Sequence, residues 1–273
     1  HSSTMSKSGS LFGVVGKNVL VTGGSRGIGL MIAKGFAEHG ANVLLTSRDP
    51  KACQTAADSA RCRWVASNLS TRSGCRELAE NVSDIFDGRL DVLVNNAGTS
   101  WGEPLDRESG KANWGFDKIF DLNVKSLFYL SRECLPMLSK NASSSDPGRI
   151  INIGSITGLI PQAAPTHAYD ISKAAVHQLT RKLAADFAPQ NVTVNAVSPG
   201  FVPSRMSQGL AKWGADAEAI ASTIPLKRMG NEDDMAGACI YFASKAGSWC
   251  TGVILNVDGG SVGAIQITLN SSL

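Results

Sequence analysis

The chain has 273 residues, of which 43% are hydrophobic and 18% are charged, and its formal net charge is +3. This is ordinary globular composition, at a length that suits one large α/β domain able to bury a core without disulfide or metal staples. Basic and acidic residues are interspersed, and no apolar run approaches the ~20 residues needed to cross a bilayer. The sequence therefore predicts no nucleic-acid-binding surface and no membrane span.

The six cysteines are scattered, with no C-x-x-C pair and no histidine at metal-ligand spacing. We therefore predict reduced thiols and no metal site. Residues 1–10 are expected to be a disordered tag or leader, and residues 11–273 a single domain. The N-terminus lacks the charged-then-apolar pattern of a secretion signal, which favours a cytoplasmic protein.

Along the chain, β-branched apolar runs alternate with longer amphipathic stretches. Strands are predicted at 17–22, 42–46, 62–66, 90–95, 149–153, 192–197 and 253–257, and helices at 26–38, 73–86, 116–138, 168–188 and 233–244. Buried strands separated by helices predict a doubly wound parallel sheet, a Rossmann fold of about seven strands flanked by helices. Residues 204–228 form a long excursion between the last two strands, which we expect to be the substrate loop.

A glycine-rich turn, T-G-G-S-R-G-I-G, directly follows the first strand at residues 22–29. Glycine permits a tight turn and close approach of a pyrophosphate, while the next helix offers free N–H groups and a partial positive charge. This strand–turn–helix context is the one that dinucleotide binding requires. The turn predicts cofactor contacts from Gly23, Ser25, Arg26, Gly27, Ile28 and Gly29.

Tyr169 and Lys173 lie four residues apart on a predicted helix, so they project from one face. An ammonium beside a phenol favours the phenolate, so we predict a Tyr169 pKa below its ordinary value, as suits a general acid–base. Ser155 follows a predicted strand, where its hydroxyl can stabilise charge on a substrate oxygen. Thr157 is the alternative for that role.

Further motifs follow in order: N-N-A-G at 95–98, P-G at 199–200 and V-D-G-G at 257–260. Together with the glycine turn, Ser155 and Tyr169-x-x-x-Lys173, this set resembles the short-chain dehydrogenase/reductase family from Lys17 to about Gly260. The resemblance implies hydride transfer between a nicotinamide cofactor and a carbonyl, with Tyr169 as general acid and Ser155 holding the oxygen. It also implies that Lys173 binds the nicotinamide ribose and that Asn123 holds a water linking this lysine to solvent.

The same resemblance implies the remaining cofactor contacts. Asn68-Leu69 stands where the family usually has Asp and an apolar residue at the adenine edge, so an amide replaces a carboxylate there. Asn95, Ala97 and Gly98 are expected to flank the adenosine and ribose. The stretch after the sixth strand is expected to contact the nicotinamide carboxamide through Pro199, Gly200, Val202 and Ser204.

The end of the second strand predicts which nicotinamide is used. NAD-dependent enzymes place an acid here for the ribose 2′-hydroxyl, and NADP-dependent enzymes place arginine nearby. This strand ends in Ser47-Arg48, with no acid until Asp49, and Arg26 lies in the glycine turn. Two guanidinium groups suit a 2′-phosphate, so NADPH is predicted; the alternative is that both arginines are merely solvated.

The predicted function is NADPH-dependent reduction of a ketone, and the overall pattern resembles 3-oxoacyl reductases of the rhamnolipid-synthesis type. An NAD-linked secondary-alcohol, sugar or polyol dehydrogenase and a non-catalytic NADP-binding redox sensor remain alternatives. The expected partner is a small carbonyl or alcohol substrate, and the resemblance implies a homotetramer or homodimer through helices 116–138 and 168–188. Trp101 and Trp213 either wall an apolar pocket or pack the core, and His167 is either a substrate contact or a loop residue.

Overall fold

The first strand of this protein is apolar on both faces. In the first strand, Val19 and Val21 pack into one hydrophobic cluster, and Leu20 between them packs into a second cluster on the opposite face. Successive side chains of a strand point to opposite faces, so a strand without polar alternation must be covered on both sides. The computed structural model describes residues 10–107, 114–204 and 216–264.

Seven parallel strands form one sheet within these residues: β1 (Asn18–Thr22), β2 (Asn42–Ser47), β3 (Arg63–Ala66), β4 (Val92–Asn95), β5 (Gly148–Ile153), β6 (Val192–Pro199) and β7 (Ile254–Val257). Their order is β3-β2-β1-β4-β5-β6-β7, with Leu20 of β1 opposite Leu44 of β2 and Leu93 of β4. The chain order reverses at β1, and such a switch point opens a crevice at the carboxyl ends of the strands. The predicted doubly wound parallel sheet is confirmed.

The described helices are, in chain order, α1 (Gly27–Glu38), α2 (Pro50–Ala60), α3 (Arg72–Ile85), α4 (Trp114–Phe120), α5 (Ser126–Ser139), α6 (His167–Phe187), α7 (Ala217–Thr223) and α8 (Glu232–Ala243). Helices α1, α2 and α8 bury apolar side chains against one face of the sheet. Helices α3, α5 and α6 cover the other face. The layers therefore leave the crevice at the strand ends open for a ligand.

Three segments depart from the predicted elements. Helix α2 was not predicted, because its buried face consists of small residues such as Cys53, Ala56 and Ala57 rather than a marked apolar stripe. The predicted helix 116–138 is interrupted by a π-helical turn at Asp121–Lys125, between α4 and α5. The excursion at 204–228 contains α7, while its residues 205–215, including Trp213, lie outside the described residues.

No helix in the described ranges is long and apolar enough to span a bilayer. Within the same ranges, no group of three or more His, Cys, Asp or Glu side chains is placed to hold a metal ion. All six cysteines are free thiols, and burial raises the pKa of Cys62 to about 11. The predicted leader at 1–10 lies outside the described residues except for Ser10.

Candidate active site

A cavity of about 1640 Å³ runs along the carboxyl ends of the central strands, from the glycine turn to α6. Most of the residues predicted from the sequence line it: Gly23, Ser25, Arg26, Gly27, Ile28, Ser47, Arg48, Leu69, Ala97, Gly98, Ser155, Tyr169, Lys173, Pro199, Gly200, Val202 and Ser204. Gly29, Asn68, Asn95 and Asn123 do not line it. The fold thus gathers residues from distant parts of the chain around one space long enough for a dinucleotide and a substrate.

The glycine turn has no room for a side chain at Gly23, Gly24 or Gly29. Gly23 has a φ of +63°, and a Cβ there would lie 2.9 Å from Asn96 Nδ2. A Cβ on Gly29 would lie 2.4 Å from both Asn96 Nδ2 and the Gly23 carbonyl oxygen, so Gly29 is needed for packing behind the turn rather than as a lining residue. Asn96 itself donates to the Thr22 carbonyl oxygen at 2.9 Å, which fastens the turn to the end of β4.

The start of α1 is suited to an anion. Arg26, the residue before the helix, makes no side-chain capping hydrogen bond, and the first turn contains no acid. The first N–H groups of a helix lack intrahelical partners and carry partial positive charge, so they bind phosphate groups readily. With the close-packed glycines, this arrangement fits the pyrophosphate of a dinucleotide.

The far end of this region carries the two predicted arginines. Neither Arg26 nor Arg48 forms an ion pair within the described chain. The neighbouring acid, Asp49, accepts hydrogen bonds from the backbone N–H groups of Lys51 and Ala52 at 3.0 and 3.2 Å. This carboxylate therefore caps α2 through Oδ1, and Asp49 also lines the cavity beside Arg48.

Ser155, Tyr169 and Lys173 meet at the other end of the cavity. Tyr169 and Lys173 lie on one face of α6, with the Lys173 Nζ 5.5 Å from the centre of the Tyr169 ring. Lys173 Nζ donates to the carbonyl oxygen of Ile153, the last residue of β5, at 2.8 Å. Ser155, two residues farther along, lies near enough to Tyr169 for its hydroxyl to lower the pKa of the phenol. A phenol, an ammonium and a hydroxyl group therefore converge on one side of the cavity.

Burial governs the ionisation of this centre. Burial lowers the pKa of Lys173 to about 8, because the ammonium loses water. Burial also raises the pKa of Tyr169 to about 12; the Ser155 hydrogen bond opposes this rise and the nearby Asp170 charge adds to it. The prediction of a lowered Tyr169 pKa is therefore wrong where only the protein's own groups act on the phenol. Desolvation raises the pKa by more than the Ser155 hydroxyl lowers it.

Asn123 lies in the π-helical turn, and its amide is fully engaged. Its Nδ2 donates to the Thr99 carbonyl oxygen and to Ser172 Oγ, each at 3.0 Å, and its Oδ1 accepts from the Thr99 N–H at 2.9 Å. Isolated π-helical turns are frequent at functional sites. Here the side chain joins the segment after β4 to α6 beside Lys173, and a water bridge through Asn123 stays a prediction.

A family model described as Enoyl-(Acyl carrier protein) reductase matches residues 23–262, which include the glycine turn and the whole centre around Tyr169. The chain belongs to the short-chain dehydrogenase/reductase family. It is an oxidoreductase of the class that acts on CH–OH and C=O groups.

The relatives of this dehydrogenase/reductase are named for different substrates. The rhamnolipids biosynthesis 3-oxoacyl-acyl-carrier-protein reductase of Pseudomonas aeruginosa is 42% identical over 253 residues, 91% of this chain and 97% of that protein. Gluconate 5-dehydrogenase of Gluconobacter oxydans is 30% identical over 260 residues, 92% of this chain and 96% of that protein. A solved structure described as the Pseudomonas aeruginosa RhlG/NADP active-site complex has a TM-score of 0.86 at 41% identity, covering 92% of this chain and 98% of that one.

The side chains of two predicted cofactor contacts of this dehydrogenase/reductase hydrogen-bond other parts of the chain. Asn95 is buried, and its Nδ2 donates to Ser131 Oγ and Asn152 Oδ1, both at 3.0 Å, so it faces the sheet interior rather than a cofactor. Asn152 in turn donates to Thr180 on α6 at 2.9 Å. Asn68 accepts from the Ser70 N–H at 3.2 Å with its side-chain oxygen. The buried network beneath the site was not predicted, since its partners are far apart in sequence.

The substrate side of the cavity is formed by irregular segments. It includes Trp101, Ile156, Ile160, Gln162, Phe201 and Pro225. Trp101 therefore walls the pocket, one of its two predicted roles, and its Nε1 donates to Glu103 Oε2 at 3.0 Å. His167, the first residue of α6, is not among the lining residues. The walls combine apolar side chains with polar ones.

Proposed function

We propose that this enzyme uses NADPH to reduce the ketone of a 3-oxoacyl thioester to a secondary alcohol. The observation that carries the proposal is the convergence of Ser155, Tyr169 and Lys173 in the cavity that the glycine turn also lines. The substrate class is supported by the 42% identical relative named as a 3-oxoacyl-acyl-carrier-protein reductase and by the apolar part of the walls, such as Trp101, Ile160 and Phe201. The NADP complex of the structural relative supports the cofactor.

In this mechanism, the chain supplies the proton and the contacts to the reacting oxygen. NADPH, when bound, supplies the hydride to the carbonyl carbon. Tyr169, whose pKa lies well above neutral pH, is protonated there and gives its phenolic proton to the carbonyl oxygen, so the C=O bond becomes CH–OH. Ser155 donates a hydrogen bond to that oxygen, and the Lys173 ammonium stabilises the phenolate that remains. General acid catalysis of this kind is worth about 10² to 10⁴ in rate.

The residues that would hold NADPH form two groups, one for its phosphates and one for the rest of the cofactor. The N–H groups at the start of α1 suit the pyrophosphate, and Arg26 and Arg48 suit the 2′-phosphate, with Ser25 and Ser47 beside them. Asp49, which also lines this part of the cavity, uses its Oδ1 to cap the start of α2. Further contacts are proposed for lining residues near the rest of the cofactor: Ile28, Leu69, Ala97, Gly98, Pro199, Gly200, Val202 and Ser204.

A second candidate function is an NAD-linked dehydrogenase of a sugar, polyol or other secondary alcohol. It is favoured by the similarity to gluconate 5-dehydrogenase and by polar lining residues such as Ser100, Gln162 and Thr166. A redox sensor without turnover is disfavoured, because Ser155, Tyr169 and Lys173 are all present and in contact with one another or with the end of β5. A cytoplasmic location and a homotetramer or homodimer remain predictions.

A substrate panel separates these functions. Purified enzyme is given NADPH or NADH with a short 3-oxoacyl thioester, a cyclic ketone, an aromatic ketone or 5-ketogluconate, and nucleotide oxidation is followed by absorbance. We expect the highest kcat/KM with NADPH and the thioester. A preference for NADH with the keto sugar would favour the second function, and NADPH binding without turnover of any ketone would favour the sensor.

A further inference from the structure

We propose that Thr157 is a positioning residue for Ser155. It donates hydrogen bonds to the Ser155 Oγ, so that the serine proton is left to be donated to the reacting oxygen. This inference rests on the proposed function, in which Ser155 donates a hydrogen bond to the carbonyl oxygen of the substrate. Thr157 also borders the cavity, but its own hydroxyl proton is used on Ser155.

The contacts of Ser155 determine where its proton is available. Ser155 has extended backbone and caps a short 3-10 turn, Ile156–Gly158. Its Oγ accepts from the Thr157 N–H at 3.2 Å and from Thr157 Oγ1 at 3.1 Å. A hydroxyl group has two acceptor lone pairs and one donor proton. With both lone pairs occupied by one residue, the remaining capacity of Ser155 is to donate.

The catalytic tyrosine lies on the same side of the cavity as this proton. Ser155 and Tyr169 both line the cavity, and the Ser155 hydroxyl is near enough to the phenol to lower the pKa of Tyr169. Ser155 is only 8% exposed, so few other partners compete for its proton. In the reaction, the same proton is placed to meet the substrate oxygen that receives the proton of Tyr169.

The turn that carries Thr157 is itself fixed against α6. A Cβ on Gly158 would lie 2.6 Å from the carbonyl carbon of Lys173 and 2.8 Å from the Ala174 nitrogen. The Gly158 N–H also donates to the Ser155 carbonyl oxygen at 3.0 Å. This close packing holds Thr157 at a constant place relative to the helix that bears Tyr169 and Lys173, as a positioning role requires.

Without the threonine hydroxyl, the serine hydroxyl regains rotational freedom. Valine has nearly the shape of threonine but no donor, so Thr157→Val leaves one lone pair of Ser155 empty while keeping the backbone contact. Serine at this position retains the donor with one methyl group fewer. Comparing Thr157→Val with Thr157→Ser therefore distinguishes the effect of the hydrogen bond from the effect of side-chain packing.

The test measures ketone reduction by the wild type, Thr157→Val and Thr157→Ser, each also combined with Ser155→Ala. We expect Thr157→Val to lower kcat about tenfold, the effect of one hydrogen bond, with KM changed less than twofold. Thr157→Ser should stay within about threefold of the wild type. In the Ser155→Ala background, Thr157→Val should have no further effect, because the two residues act as a unit.

An unchanged kcat in folded Thr157→Val, or the same tenfold loss in the Ser155→Ala background, would overturn the proposal. Thr157→Ala serves as a second variant if the valine is not accommodated. High-resolution crystal structures supply a readout independent of turnover: one Ser155 rotamer is expected in the wild type and Thr157→Ser, and more than one in Thr157→Val. A single unchanged rotamer in Thr157→Val would overturn the positioning role even if the wild type reduced no ketone, an outcome that would contradict the proposed function separately.

Discussion

The two halves of the cavity are built in different ways. The cofactor half consists of the glycine turn, the start of α1 and the end of β2, where backbone approaches backbone and glycine is required for steric reasons. The substrate half consists mainly of side chains outside the strands and long helices, at 99–102, 156–166, 201–204 and 223–227. The first half depends on short, local sequence patterns, whereas the second depends on tertiary packing. This difference explains why the cofactor class follows from the sequence more directly than the substrate.

The largest effect on the cofactor half is expected from Arg48. We predict that Arg48→Ala weakens NADPH binding roughly 10- to 150-fold, the range for hydrogen bonds to a charged group, and leaves NADH binding nearly unchanged. Fluorescence titration of each nucleotide measures the two affinities. Arg76→Ala is the matched control, because Arg76 is an exposed arginine on α3 that does not line the cavity. Equal losses for both nucleotides would show that Arg48 does not recognise the 2′-phosphate.

Tyr169 and Lys173 lie where the two halves of the cavity meet, and the reaction that they support should depend on pH. Lys173 has a pKa lowered by burial to about 8, so its ammonium is lost as the pH rises through that value. Tyr169, with a pKa raised to about 12, keeps its proton over the same range. Because the ammonium stabilises the phenolate formed in the reaction, kcat for reduction should fall about tenfold between pH 7 and pH 9. A rate that rises over this interval would contradict this role of Lys173.

The smallest effect is expected in the substrate half, at Trp101. Its ring lies against the backbone at the start of α4, where a Cβ on Gly115 would be 2.2 Å from the ring Cδ1. We predict that Trp101→Ala lowers kcat/KM roughly threefold to tenfold for a long-chain thioester and less for a short one, because an apolar wall is lost. Trp249→Ala is the control, since that side chain is 92% exposed and does not line the cavity. Equal losses for both chain lengths would mean that Trp101 does not contact the acyl chain.

Local patterns predicted the sheet, most of its helices and the pairing of Tyr169 with Lys173, because strand alternation and helical spacing act over a few residues. Helix α2 was missed although Asp49 and Pro50 form a recognisable start, since its buried residues are small. The direction of the Tyr169 pKa and the placement of Asn95 were also missed. Both depend on burial among residues far away in the chain, such as Asn152, which the sequence alone does not place nearby.

The central claim is that Tyr169 donates the proton to the substrate oxygen beside the bound nucleotide. The most direct measurement compares wild type with Tyr169→Phe, which keeps the ring and removes the hydroxyl, in NADPH binding and in single-turnover ketone reduction. We expect unchanged NADPH affinity and a reduction rate lowered about 10² to 10⁴-fold. A Tyr169→Phe enzyme that reduces the ketone at the wild-type rate would contradict it.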